Sequence, residues 1–203
     1  MLVQEMLYTV IEALLGLFVG FVLAFTLGVV SSRFLLIEKM VMPIAILIKV
    51  TPIIAIAPLF AIWFGFGMLP KILVVSVVTF FPILVNTVVG LRSVNPTALL
   101  YFQSLAASER EILWGLRLPS AVTYLFAALK VSIPLSIIGA VIAEWFGSSH
   151  GLGSLIMVSH GNLDMNTLFA AVILLAVIGI ALTFSIDRLE RRVAHWQPQS
   201  ESL

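Results

Sequence analysis

The chain has 203 residues, of which 61% belong to the set AVILMFWYC and 10% are charged, with a formal net charge of +1. Soluble domains run at roughly 45–50% apolar and about 25% charged, and a globule this short leaves roughly a quarter to a third of its unfolded surface wet. Much of the chain must therefore be solvated by lipid, which excludes a soluble enzyme, a nucleic-acid binder and a disordered linker. The absence of cysteine removes any disulfide framework, thiolate metal site or redox motif.

A membrane-crossing helix needs about 20 mostly apolar residues, and five segments qualify. Residues 1–7 carry Glu5 but no Lys or Arg, and the apolar stretch after them is too long for a cleaved signal. It reads as the first span, about Tyr8 to Val30, with Glu12 near its start. The second runs from about Ile44 to Phe64, with Lys49 near its start and Pro52 and Pro58 inside. The third is Lys71 to Leu91 with Pro82 inside, and the fourth is about Ala121 to Trp145 with Lys130, Pro134 and Glu144. The fifth is Leu168 to Ile186. Pro52, Pro58 and Pro82 predict kinks or local unwinding. The expected fold is all-α and polytopic, with a membrane domain over residues 8–190 and a short tail over 191–203.

Arg33, Lys39, Arg92, Arg110, Arg117, Arg188, Arg191 and Arg192 fall on one side of these spans, and Lys71 alone falls on the other. Cytoplasmic loops carry the excess of Lys and Arg. The expectation is an outside N-terminus and a cytoplasmic C-terminus. An odd number of spans in that sense suggests that related chains carry one more helix upstream.

Small residues recur every four positions in the first span (Gly16, Gly20, Ala24, Gly28) and in the fourth (Ala128, Ser132, Ser136, Ala140, then Glu144). Such stripes let helix backbones approach closely in lipid. They serve either packing within the chain or an interface between subunits.

Between the third and fourth spans the sequence is patterned rather than loop-like. Asn95-Pro96 supplies a cap followed by proline at the first helical position, predicting a short helix to about Leu105. Ser108 followed by Glu111 is a capping box, starting a second helix that should end just before Pro119. Leu99, Leu100, Phe102, Leu105, Ile112, Leu113, Trp114 and Leu116 are more apolar surface than a solvated linker carries. Either this surface packs on the chain's own helix ends or headgroups, or it fits a groove of a soluble partner.

Polar groups inside the spans also have two readings. Glu144 lies near the outer end of the fourth span, where a charge is cheaper than at mid-bilayer and serves structure or pathway. Asn86 lies one turn after Pro82, where a freed carbonyl is a partner for it; helix–helix bonding and substrate contact both remain open. Lys49 is expected to snorkel to the cytoplasmic headgroups, and Lys130 to do likewise. Trp63 and Trp145 fit an interfacial aromatic belt. His150, Ser154, His160 and Asp164 share one outer loop, and His150 and His160 match no common zinc spacing.

Ala106, nine residues, then Leu116-Arg117-Leu118-Pro119 resembles the cytoplasmic signature of binding-protein-dependent ABC transporter permeases, glycine–nine residues–isoleucine–x–Leu-Pro. Thr51-Pro52 with Pro58 and Trp63-Phe64-Gly65 resembles the second span of the nitrate/sulfonate/taurine branch. Phe80-Phe81-Pro82 with Asn86-Thr87 and Gly90 resembles its third, and Ala143-Glu144, Gly147 and Gly151-Leu152-Gly153 the segment after its fourth. The likeness extends over about residues 9–190. Two positions depart: the family's Glu-Ala-Ala opening falls at Leu100-Tyr101-Phe102, and its glycine is Ala106. The string from Leu99 to Leu105 is closer to permeases for thiamine-pyrimidine precursors.

The resemblance implies a type I ABC importer permease with a helix-turn-helix coupling segment, in a bacterial or archaeal inner membrane. It implies a cytoplasmic ATPase, an extracytoplasmic substrate-binding protein and a second permease subunit, with a homodimer expected. Surrounding lipid is the other partner; no nucleic acid, metal, cofactor or catalytic residue is expected in this chain. Coupling residues would be Ser104, Leu105, Ala106, Ala107, Ser108, Glu109, Trp114, Leu118 and Pro119. Candidate pathway residues are Thr51, Trp63, Asn86 and Glu144. No Gly-x-x-x-x-Gly-Lys-Ser/Thr string is present, so ATP chemistry belongs to another subunit. Competing readings are a passive channel of oligomerised helices and an intramembrane hydrolase using Ser154 with His150 or His160. The solute would be a small organic molecule or anion.

Overall fold

A computed structural model describes residues 2–195, and all the regular structure among them is helical. The helices are α1 (Leu2–Arg33), α2 (Leu35–Val50), α3 (Ile53–Phe64), α4 (Met68–Arg92), α5 (Pro96–Ser104), α6 (Glu109–Ile112), α7 (Leu118–Trp145), α8 (Leu152–Gly161) and α9 (Met165–Val193). A π-helical turn, Leu113–Arg117, joins α6 to α7. Helix α9 runs past residue 190, the expected end of the membrane domain, and residues 196–203 of the expected tail lie outside the described residues.

With the start of α1 placed at the top, α1 runs down, α2 and α3 together run up, α4 runs down, α7 up and α9 down. Helix α4 lies between α1 and α7. On the α1 side, Gly16, Gly20 and Gly28 face Val75, Thr79 and Thr87 so closely that a Cβ at any of them would overlap α4. On the α7 side, Ala128, Ser132, Ser136 and Ala140 are fully buried. Both stripes therefore serve packing within the chain. Close approach of backbones replaces the hydrophobic drive that lipid removes. Ile83, Leu84, Ala24 and Ile133 fill the space between the three helices.

Three sequence expectations change. The second span starts at Leu35 rather than at about Ile44, and it is two helices, α2 and α3, bent by 100° at Thr51-Pro52, where unwinding is expected. Thr51 ends α2 with its N–H on Leu47 O at 3.1 Å, and its extended ψ of 126° is what a following proline imposes. Pro58 and Pro82 stay inside their helices. The second short helix between the third and fourth spans does not stop before Pro119. The chain continues from Glu109 into α7, because the turn at Leu113–Arg117 widens to a five-residue bond, Leu118 N–H to Leu113 O. A wider turn gives the pyrrolidine ring room, and the Ser120 hydroxyl donates to Leu116 O at 2.8 Å. Finally, residues 147–166 are not a plain loop, since they contain α8. Asp164 then caps α9, and the Thr167 hydroxyl and N–H hold its carboxyl below the usual range.

Ion pairs tie the lower half together. Arg92 holds both Glu38 oxygens, at 2.9 and 2.7 Å, and reaches Ser31 O at 3.1 Å. Lys130 pairs with Asp187 at 2.8 Å and Glu190 at 2.6 Å, pinning α7 to α9. Large faces of α2, α3 and α9 remain apolar and uncovered, with Leu36, Leu47, Ile62, Ile173 and Phe184 all exposed.

Candidate functional site

The first candidate is the knob below α4 and α7. Asn95 caps α5 through Thr97 N–H to Asn95 Oδ1 at 2.8 Å. Ser108 and Glu111 close the capping box on α6: Ser108 N–H donates to Glu111 Oε2 at 2.6 Å, and Glu111 N–H to Ser108 Oγ at 3.3 Å. Between them the chain turns at Ala106 with φ 53°, the left-handed region that favours glycine. Phe102 folds against Gly115 of the π turn, and Ile112 is buried. Ser104 bonds its own helix, Oγ to Tyr101 O at 2.8 Å, and Glu109 is exposed. Ala107, Leu118 and Pro119 are half-buried. Leu100, Tyr101, Leu105 and Trp114 are 62–71% exposed and together form an apolar surface on a rigid, doubly capped support.

The second candidate is a polar cluster at the upper end. Lys71, at the start of α4, pairs with Glu12 of α1 and donates to Ser148 Oγ at 2.8 Å. Glu144 of α7 is 1% exposed and accepts from the Thr9 hydroxyl at 2.7 Å and from Gly153 N–H at 2.5 Å. Thr9 also accepts from Leu152 N–H at 2.8 Å, and Glu5 accepts from Gly151 N–H at 2.5 Å. The first N–H groups of a helix lack intrahelical partners. Here the three at the start of α8 are met one each by Glu5, Thr9 and Glu144, side chains from two other helices. Gly151 has φ 108°, and a Cβ there would strike the Glu144 carboxylate. His150 stacks on Tyr8 with centroids 4.7 Å apart. Glu5, Thr9, Glu12 and Lys71 were not among the expected site residues. A usable signal was present, because Glu12 and Lys71 are charges within apolar stretches that begin at the same end.

The expected pathway residues are dispersed. Thr51 is exposed at the α2–α3 break, its hydroxyl on Leu47 O at 2.8 Å. Trp63 is exposed near the top of α3. Asn86 donates to Pro82 O of its own helix at 2.8 Å. Glu144 is closed off inside the upper cluster. Ser154 donates to Ser148 O at 2.8 Å rather than to either histidine, so the hydrolase reading has no assembled nucleophile and base.

The family described as the binding-protein-dependent transport system inner membrane component matches residues 9–195. Formylaminopyrimidine transport permease protein ThiX of Halalkalibacterium halodurans is 31% identical over 199 residues, which cover 96% of this chain and 80% of that protein. Riboflavin transport system permease protein RibX of Chloroflexus aurantiacus is 34% identical over 161 residues, 79% of this chain and 60% of its own length. Taurine transport system permease protein TauC of Escherichia coli is 27% identical over 95% of this chain and 70% of that one. Among solved structures, an inward-facing conformation of the MetNI methionine ABC transporter superposes with a TM-score of 0.83 over 95% of each chain, at 20% identity. At that identity the likeness is one of fold. The chain belongs to the binding-protein-dependent transport family and is a multi-pass inner-membrane permease component of an ABC transporter, a transport subunit rather than an enzyme.

Proposed function

We propose that this chain forms the translocation pathway of an ATP-driven importer for a small organic solute and couples it to a cytoplasmic ATPase through the α5–α6 knob. A substrate-binding protein delivers solute at the upper end, which faces outward. Two permease subunits, two copies of this chain, enclose the path, since five crossings alone enclose little. The observation that carries the reading is the knob. Leu100, Tyr101, Leu105 and Trp114 are held in the open by two capped helices, and a face turned permanently to water gains nothing from that arrangement. It fits an apolar groove. The relatives are named for formylaminopyrimidine, riboflavin and taurine, which supports a small organic solute as cargo.

Leu105→Asp tests the coupling. A desolvated, unpaired charge costs several kcal/mol, so ATPase association should fall by roughly two orders of magnitude or more. The expected result is normal membrane abundance with loss of ATPase copurification and of uptake. Unchanged copurification and uptake would make the knob a packing element only.

A further inference from the structure

Four lysines lie in the helices; Lys39 stands near the lower end of α2, and of the other three, two meet carboxylates of their own chain. Lys71 pairs with Glu12, and Lys130 with Asp187 and Glu190. Lys49 differs. Among the described residues it has no carboxylate within ion-pair distance, and its ammonium sits 4.6 Å from the ring centroid of Phe81 on an exposed face of α2. The expected escape to the cytoplasmic headgroups is not available. Phe81 lies midway along α4, a helix of 25 residues spanning roughly 37 Å at 1.5 Å per residue. Lys49 is therefore at mid-depth of a hydrocarbon core about 30 Å thick, beyond the reach of a four-carbon stem to either surface.

An ammonium turned to lipid at that depth is strongly disfavoured, and intramembrane charges face a bundle interior or a water-filled cavity. A second copy of the chain offers no free counter-charge at that level. Of the carboxylates within the long helices, Glu5 accepts from Gly151, Glu12 is held by Lys71, Glu38 by Arg92, Glu144 by Thr9 and Gly153, and Asp187 and Glu190 by Lys130. Beside Lys49, the exposed Thr51 marks the break between α2 and α3. Interrupted helices at the midplane are where transporters place substrate sites.

We propose that Lys49 lines the translocation pathway and takes the anionic group of the transported solute, a carboxylate, sulfonate or phosphate, with Thr51 beside it. The assignment rests on the permease reading and narrows its substrate class. It predicts a water-filled, anion-selective environment at residue 49 whatever the identity of the binding protein.

The test uses the cysteine-free full chain in membranes with its ATPase. Single cysteines at Thr51 or, as a second reporter, Val50 are reacted with the membrane-impermeant anionic sulfonatoethyl and cationic trimethylammonioethyl methanethiosulfonates. A unit charge about 6 Å away through water favours the anion and disfavours the cation by about threefold each at low salt. Lys49→Gln should therefore lower the anionic-to-cationic rate ratio about tenfold, and Lys49→Arg should restore it. Failure of both cysteines to react with either reagent would overturn the proposal, as would a ratio that Lys49→Gln leaves unchanged. Either result with the ATPase still copurifying sinks the Lys49 assignment alone, whereas a chain that never copurifies an ATPase sinks the permease reading.

Discussion

A lysine 8% exposed stays in place through its partners, and Lys71 has two, Glu12 and Ser148. Removing only the cation takes the partner from Oε1 of Glu12, whose Oε2 already has none among the described residues, and leaves a carboxyl 1% exposed without compensation. Breaking a buried pair from one side costs about 3–5 kcal/mol, while replacing both partners by apolar residues is often close to neutral. Lys71→Met should therefore lower the unfolding temperature in detergent clearly, and Lys71→Met with Glu12→Leu should recover most of the loss. Equal destabilisation by the single and double variants would mean that the pair does not anchor α1 to α4. The same cluster explains why Glu144 has little freedom. Its two oxygens are spent on Thr9 and Gly153, and through them it fixes where α8 begins.

At the scale of elements, what the sequence made legible was local. Asn95-Pro96 and Ser108 with Glu111 act within three residues, and both caps form as their spacing predicts. Helix α8 is not legible locally because its N-terminus has no local cap. Two of the groups that satisfy it, Glu5 and Thr9, lie more than a hundred positions earlier. Pro119 is the opposite case: its local rule is sound, but a π turn just upstream relieves it. The sequence alone lets Lys49 snorkel to the headgroups; its depth emerges only with α2 set beside the middle of α4. The knob also carries one local conflict. Ala106 adopts φ 53°, which costs an L-residue roughly 1–2 kcal/mol, at the position where permeases of this type carry glycine. Ala106→Gly trades that strain against extra unfolded-state freedom, leaving a net gain of about 0.5 kcal/mol or slightly more. Hydrogen exchange should slow at the backbone amides of residues 101–108. Exchange that is unchanged or faster would show that the turn is not strained.

Over the whole molecule, charge and topology point to one orientation. Five crossings put the start of α1 and the end of α9 at opposite ends. The lower end gathers the end of α1, the start of α2, the end of α4, the knob and the end of α9. It thereby collects Arg33, Lys39, Arg92, Arg110, Arg117, Arg188, Arg191 and Arg192. Arg92 is tied up by Glu38, but the Lys and Arg bias that sets topology is read during insertion, and acidic neighbours contribute little to it. At the upper end the only Lys or Arg is Lys71, and in the folded chain Glu12 holds it. The proposed arrangement, lower end cytoplasmic, is thus favoured by the charge bias and puts the knob where an ATPase can reach it. Single cysteines at Ser149 and Gln103, both exposed and at opposite ends, report it directly in this cysteine-free chain. An impermeant thiol reagent added to intact cells should label Ser149→Cys and leave Gln103→Cys untouched until the membrane is opened. Labelling of both from outside would refute the crossing number, and labelling of Gln103→Cys alone would invert the molecule and leave the knob without access to cytoplasmic ATP chemistry.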